Sequence, residues 1–232
     1  MVTIMAENIL NSDRKKCILF CAGEFKSECY RVEDIKNQID EDTLVVAVDG
    51  GLTICRLLNI CPDMIIGDFD SASDDDKLFI EKSTDIQIVK LPKEKDDTDT
   101  IAAVRRALEY GCKEFLIYGA AGGRIDHYFA NIQTLLLIKH NGANGIIKAD
   151  DSELFVVENE SVTLPKRDKG TVSLLVLGDR AEEVSIKGLY YEVDKVLLTN
   201  DFPIGVSNEF CGKEATISVQ NGALLCVVLR EY

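Results

Sequence analysis

Acidic residues recur at the ends of apolar runs in this chain, and their spacing decides what chemistry they could do. Asp68 and Asp70 lie two apart in Gly67-Asp68-Phe69-Asp70-Ser71, directly after the apolar run 64–66. Where a chain is extended, residues two apart share a face, about 6.5–7 Å from one another. Two carboxylates so placed can hold one Mg²⁺, or bridge two, with waters completing the shell. Solvated turn aspartates give the same pattern; Gly67 and the apolar run before it favour metal. Asp96, Asp97 and Asp99 crowd the start of a helical pattern. Asp96 or Asp97 reads as its N-cap, in a first turn where the helix dipole favours acids. Capping absorbs one or two of the three. Residues two apart on a helix face different directions, so of Asp97 and Asp99 one goes to the cap and the other to a site.

A second kind of chemistry is suggested by Gly119-Ala120-Ala121-Gly122-Gly123-Arg124. Glycines let backbone N–H groups approach an anion at a helix N-terminus, so the loop reads as a phosphate cradle. It is neither G-x-G-x-x-G nor a Walker A sequence. Arg124 strengthens the reading, because a guanidinium grips phosphate oxygens in pairs. His127 reads as a partner or cap at that helix start, and His140 as a surface residue near its end. Ser73 with Asp76 three residues on is a helix start with no chemistry assigned. Arg105 and Arg106 read as a solvated helix face.

Such residues need elements to position them. Apolar runs at 17–22, 44–48, 64–66, 86–91 and 115–118 predict strands. Helical patterns lie between them at 76–82, 98–110 and 125–140. The second of these carries a stripe of Ile101, Val104 and Leu108, the third a stripe of Ile125, Phe129, Ile132 and Leu136. Strands that are continuous apolar runs, alternating with helices, predict a mainly parallel, Rossmann-like α/β sheet. Near residue 150 the character changes. Runs of β-formers at 154–157, 171–177, 184–186, 195–198, 215–219 and 223–229 are separated by turn signals such as Gly178-Asp179 and Asn221-Gly222. The division predicted is an α/β domain over 1–150 and an all-β sandwich over 151–232. In open parallel sheets ligands gather beyond the carboxyl ends of the strands. There the sequence places Asp49-Gly50-Gly51, the 67–71 loop, Lys95–Asp99 and the 119–127 segment, one after each successive strand.

Composition narrows the function classes. The 232 residues carry 26 basic and 40 acidic side chains, a net charge of −14. Such a balance argues against a basic nucleic-acid face and against anionic membranes. It leaves small molecules and divalent cations. No stretch of eighteen apolar residues occurs, and residues 1–16 lack the apolar core of a signal peptide. Eight cysteines without a Cys-x-x-Cys pair, mostly inside apolar runs, read as reduced thiols of a cytoplasmic protein.

Taken together, VAVDGGL (46–52), PDMIIGDFDS (62–71), KDDTD (95–99), GAAGGRIDH (119–127), KGLYYEV (187–193) and GVSNEF (205–210) resemble the thiamine pyrophosphokinase family in order and spacing. The resemblance implies a homodimer with sites between subunits. It implies transfer of the terminal diphosphate of ATP to the hydroxyl of thiamine, with Mg²⁺, giving thiamine diphosphate and AMP. By position, Asp49, Asp68, Asp70 and Asp99 would surround Mg²⁺ and the nucleotide phosphates; the attacking hydroxyl has to lose a proton, to Asp70, to Asp99, or by a metal-bound or substrate-assisted route. Asp126 would join that acidic set, Arg124 would sit on phosphate, and Ser71 would support the metal loop. Gly50 and Gly51 would admit the nucleotide closely, while Ser207 and Asn208 would help hold thiamine. Some family members pack a tryptophan on thiamine; this chain has none, which leaves Phe210 and Tyr190 as stacking candidates. The rival readings are a pyrophosphokinase for another alcohol, such as a hydroxymethylpterin, and a non-catalytic thiamine sensor.

Overall fold

A strand buried on both faces is apolar nearly throughout, and the central strands follow this, with Thr43 the buried polar residue at the start of one. Every residue of Thr43–Val48 (β2) is buried, as is all of Lys16–Phe20 (β1) except its first residue. The computed structural model describes residues 15–70, 73–94 and 96–229. In it β1 and β2 join Met64–Gly67 (β3), Gln87–Lys90 (β4), Glu114–Tyr118 (β5) and Asn144–Lys148 (β6) in one parallel sheet, ordered β4-β3-β2-β1-β5-β6. The edge strand β4 is the one whose burial alternates.

Five helices connect these strands: Val32–Lys36 (α1), Gly51–Leu57 (α2), Asp74–Lys82 (α3), Asp99–Glu109 (α4) and Ile125–His140 (α5). Ile18, Phe20, Val45, Ala47 and Ile65 form one core with Ile35 of α1 and Leu52, Ile54 and Cys55 of α2, and Phe79 and Ile80 of α3 pack against it. The pleat turns the alternate residues, among them Leu19, Val46 and Met64, to the other face. There α4 lies against β2 and β3, α5 lies against β6, and the two helices touch. The chain winds outward from β1 to β4, then returns to set β5 on the other side of β1. That reversal opens a crevice between the loops that follow β1 and β5, the usual place for a ligand in such sheets.

Two helical stripes differ from expectation. On α5 the buried residues are Thr134, Leu135 and Ile138, whereas Ile125 and Phe129 are 71% and 61% exposed. Apolar side chains almost encircle this helix, so several stripes satisfy the same period and packing chooses among them. On α4 the small residues Ala103 and Ala107 are buried with Thr100 and Val104, letting the helix approach the sheet closely. Helices α1 and α2 and strand β6 have weak sequence signals and add to the predicted elements.

The chain divides into two compact units between Asp150 and Asp151. The second consists of antiparallel strands: Ser152–Glu158 (β7), Ser161–Leu164 (β8), Thr171–Lys187 (β9), Val193–Thr199 (β10), Asn208–Glu209 (β11), Ala215–Ser218 (β12) and Asn221–Leu229 (β13). The expected break at Gly178-Asp179 is absent, because β9 continues through it for 17 residues. Its first half pairs with β13 and β11; its second half pairs with β10 and β12. A register shift between Asn221 and Ala223 accompanies this change of partners, the usual way one strand serves two sheets. Val172 and Leu174 from the first half share a core with Val184 and Ile186 from the second. Among the described residues no helix is long and apolar enough to cross a membrane. None of the eight cysteines is in a disulfide.

The start of α3 holds the exit of the loop that carries Asp68 and Asp70. Ser73 caps the helix, its hydroxyl accepting from the Asp76 amide at 3.1 Å and donating to the Asp76 carboxylate at 2.7 Å. That carboxylate is almost wholly buried and also takes hydrogen bonds from Arg56 (2.8 Å) and Thr53 (3.2 Å) of α2. Burial alone would raise its pKa, but the bonds from Ser73, Arg56 and Thr53 outweigh that and hold it below 3.8. Asp76→Ala is expected to cost about 2–4 kcal/mol, since it removes the buried carboxylate that ties Ser73, Thr53 and Arg56 together and leaves Arg56 only its exposed pairing with Asp75 at 3.3 Å; urea unfolding at pH 7 measures this. With the folded pKa depressed, the contribution is present above the unfolded value near 3.8 and fades as pH falls through the folded one. Wild type and variant therefore converge in stability under acid.

Candidate active site

The ends of β1, β2 and β5 and the start of α4 enclose a cavity of about 260 Å³ at the crevice. Cys21, Ala22 and Gly23 line it after β1, and Val48 and Asp49 at the end of β2. Thr98, Asp99 and Thr100 line it from the start of α4, Gly119, Ala120, Gly122 and Gly123 from the loop after β5, and Arg124, His127, Tyr128 and Asn131 from the start of α5.

Close backbone contacts build the two walls. Cys21 donates its amide to the Tyr118 carbonyl (2.8 Å), Gly23 to Gly119 (2.6 Å) and Glu24 to Ala121 (2.9 Å). A Cβ on Gly119 would fall 2.4 Å from the Cys21 carbonyl oxygen, so that glycine lets the loops zip together. Asn131 reaches back from α5 and donates to the Ala120 carbonyl at 2.8 Å. Cys21 and Thr100 meet at 3.8 Å, and burial pushes the Cys21 thiol up to about 12, which keeps it protonated and inert.

Of the aspartates singled out by sequence, the structure brings Asp49 and Asp99 to the cavity. Asp49 ends β2 with φ of 48°, its amide bonded to the Ile66 carbonyl at 2.8 Å. Its backbone lies against Gly67, where a Cβ would come 3.1 Å from the Asp49 Cα. The helix cap differs from expectation. Thr98 is the N-cap of α4, accepting from the Ile101 amide at 3.2 Å, and Asp99 is the first helical residue. Asp97 pairs instead with Arg105 at 3.2 Å. In each of Asp49 and Asp99 the Oδ1 atom is buried without a hydrogen bond to it, although both residues keep other polar interactions.

Asp68 and Asp70 stand outside the cavity lining. Phe69 has φ of 61°, so the chain is not extended between them and the shared-face geometry does not hold. Asp68 accepts from the Asp70 amide at 3.0 Å, closing a turn. Asp70 is exposed and paired with Lys93 at 2.7 Å; that hydrogen bond holds its carboxyl below the usual range. Ser71 lies outside the described residues, as does Lys95. Among the described residues no three metal-ligating side chains are gathered in one place. Mg²⁺ habitually takes one or two carboxylates together with substrate phosphates and waters. The hard oxygens of Asp49 and Asp99 in one cavity fit that habit.

Arg124 lines the cavity and is already paired, its Nε and Nη2 meeting Asp126 at 3.1 and 2.6 Å. The guanidinium drives the Asp126 carboxyl down to about 2. Asp126 is thus a partner to Arg124 in the first turn of α5. Gly50 and Gly51 do not line the cavity; a Cβ on Gly51 would lie 1.8 Å from the Phe20 carbonyl oxygen, so its absence lets α2 seat on β1.

In the second unit Asn208 is buried, and its side chain is spent on backbone. It accepts from the Tyr191 and Glu209 amides, both at 2.9 Å, and donates to the Tyr191 carbonyl at 2.8 Å. Asn208→Ala is expected to lose about 2–3 kcal/mol from unsatisfied buried backbone groups and to loosen the turn at Tyr190-Tyr191; thermal melting with hydrogen exchange at Tyr191 tests both. Ser207 is exposed, with φ of 62°. Of the two stacking candidates, Phe210 is excluded, for it is 5% exposed in the core with Arg167 over its ring. Tyr190 is 67% exposed, edge-on to Tyr191.

Sequence reasoning missed Gly23 and Glu24, Thr98 and Thr100 as lining or wall residues, and Tyr128 and Asn131. The last two had a signal: Arg124, His127, Tyr128 and Asn131 follow the i, i+3, i+4, i+7 spacing of one helix face.

Comparison with known proteins bears on both units. Residues 35–147 match the family model described as thiamin pyrophosphokinase, catalytic domain. Residues 160–224 match that described as thiamin pyrophosphokinase, vitamin B1 binding domain. Thiamine pyrophosphokinase of Bacillus subtilis strain 168 is 28% identical over 197 residues, 84% of this chain and 92% of the relative. The crystal structure of thiamine pyrophosphokinase from Bacillus subtilis superposes with a TM-score of 0.83 at 25% identity, over 94% of this chain and 100% of the other. That of Geobacillus thermodenitrificans shares the fold, with a TM-score of 0.80 at 24% identity over 93% and 98%. With one unit matching the catalytic model and the other the vitamin-binding model, this chain belongs to the thiamin pyrophosphokinase family.

Proposed function

We propose that this chain transfers the terminal diphosphate of ATP to the hydroxyl of thiamine, releasing AMP and thiamine diphosphate. The observation that carries this is the convergence of two carboxylates, a glycine loop and an arginine on one cavity at the sheet's switch point, in a chain whose two units match the two models of one family. Residues up to Asp150 form the Rossmann-like, nucleotide-binding part and those from Asp151 the thiamine-binding part. Neither rival reading is favoured, because a pterin-specific enzyme has no use for a vitamin B1 binding domain and a sensor has none for a catalytic one.

Diphosphoryl transfer asks for in-line placement and charge stabilisation more than for covalent chemistry. The glycine loop and the start of α5 offer backbone N–H groups to phosphate oxygens. Arg124 can exchange its pairing with Asp126 for a bidentate grip on phosphate. Asp49 and Asp99 would hold Mg²⁺ from within the cavity, and Asp68 and Asp70 from the loop after β3. When bound, the ion supplies neutralisation of the triphosphate charge and a template for its oxygens. Asp99 would accept the hydroxyl proton; its position in the cavity lining supports this over Asp70, which lies outside the lining and is engaged with Lys93.

Leu197, Phe202, Ile204 and Val206, with Tyr190 and Tyr191, are all about half exposed or more on the second unit. An outward apolar set of this kind supports a homodimer, which sedimentation would read as a doubled mass. Cysteines outside any disulfide support a reducing, cytoplasmic setting. The deciding assay mixes protein, thiamine, ATP and Mg²⁺ and resolves the products by chromatography. Thiamine diphosphate with equimolar AMP is expected. ADP with thiamine monophosphate would overturn diphosphoryl transfer, and no thiamine-dependent product would overturn the substrate.

A further inference from the structure

The glycine loop already holds an anion, and this chain supplies it. Glu24 places its Oε1 3.1 Å from the Gly123 amide, which donates to it. The carboxylate also lies over Gly122, where a Cβ would fall 2.5 Å from the Glu24 Cδ. Gly122 and Gly123 have φ of 72° and 65°, a left-handed pair that turns the loop around the incoming group. The contact is long-range, 99 residues apart in sequence.

Glu24 is aimed by backbone fixed on both sides. Before and at it, the Gly23 and Glu24 amides are bonded to Gly119 and Ala121. Just after it, Phe25 stacks on Tyr30 at 4.6 Å and meets Tyr118 edge-on, and the Lys26 amide donates to Asp150 at 3.1 Å. The side chain itself is exposed, so it can swing out without disturbing a core.

We propose that Glu24 is a resident carboxylate in the phosphate cradle, a built-in competitor that an incoming phosphate group must displace from the Gly123 N–H. This rests on the nucleotide reading above. A simple anion such as orthophosphate would gain one loop contact for the displacement of a tethered competitor. A polyphosphate compensates through its further contacts with Arg124 and the start of α5. The displacement cost falls equally on every anion, so it acts as a threshold at the loop, and only a ligand with enough further contacts binds measurably in spite of it.

The test titrates wild type, Glu24→Ala and Glu24→Gln with ATP plus Mg²⁺, and separately with inorganic tripolyphosphate and orthophosphate, by calorimetry. The Gly123 amide is followed by ¹⁵N NMR. In Glu24→Ala, tripolyphosphate is expected to bind about 5- to 20-fold more tightly and orthophosphate to become a measurable ligand, because a charged hydrogen-bond competitor is gone. The Gly123 amide should shift in the unliganded variant. Glu24→Gln keeps the shape and one acceptor without the charge, and should gain at least about threefold; it carries the test should Glu24→Ala melt early. Wild type that binds ATP, with variants that bind anions no better or more weakly, would show Glu24 to be scaffolding and overturn the proposal. No ATP binding by wild type or either variant would overturn the nucleotide reading and the proposal with it.

Discussion

Asp99→Asn should lower turnover by about 10²–10³-fold, the scale set by removing one preorganised electrostatic group from a reacting centre, while leaving the fold intact. Asp99 opens α4 and lines the cavity with its Oδ1 buried. In the proposed mechanism its negative charge has two uses that an amide serves poorly, as a hard oxygen for Mg²⁺ and as proton acceptor. The amide keeps the size and one oxygen. Thr98, not Asp99, supplies the cap. The structural cost is then the favourable interaction of a carboxylate with the helix dipole, about 0.3–1 kcal/mol, together with whatever the amide does not keep of the residue's other polar interactions. Activity and stability therefore separate, and steady-state kinetics beside urea unfolding tests the separation. Should the variant keep more than a tenth of wild-type turnover, Asp99 leaves the mechanism. Should activity fall in step with stability, its role is architectural. Because Asp49 and Asp99 act on one cavity, Asp49→Asn combined with Asp99→Asn should lose little more than the worse single variant.

How much of this was legible depends on how local each cause is. A strand buried on both faces writes itself as an apolar run, so β2 and its neighbours could be read from sequence. The placement of Asp49, Asp99 and the glycine loop at strand ends was readable for the same reason. Asp68 and Asp70 show the limit. Their spacing suggests a shared face, and one backbone angle at Phe69 removes it. The stripe on α5 failed otherwise, since a helix with apolar residues almost all round has no unique face until its neighbours choose one. Glu24 could not be found at all. Its partner lies 99 residues away, and only the pairing of β1 with β5 brings the two loops together.

Gly51→Ala is expected to cost more than about 3 kcal/mol, beyond the ordinary range of overpacking, and its companion Gly50→Ala less than about 1 kcal/mol. The two glycines are adjacent, and the family resemblance gives both the same role, as places where the nucleotide comes close to backbone. Their surroundings separate them. A Cβ on Gly51 would lie 1.8 Å from the Phe20 oxygen, 2.4 Å from its carbon and 3.0 Å from the Cys21 nitrogen. All three are backbone atoms of the central strand or its exit, and β1 is held by β2 on one side and β5 on the other. The strand cannot yield, so α2 must lift, and with it Leu52, Ile54 and Cys55 leave their core. A Cβ on Gly50 meets the Ala22 Cβ at 3.1 Å, a side-chain contact of the exit loop. The Gly50 backbone is right-handed helical, φ −61° and ψ −7°, which alanine adopts freely. Thermal unfolding of the pair gives the stability difference. Nucleotide titration of Gly50→Ala then isolates close approach to ligand, because that variant keeps the fold. A weakened ATP affinity there would give Gly50 the ligand role, while Gly51 serves the seating of a helix on a strand.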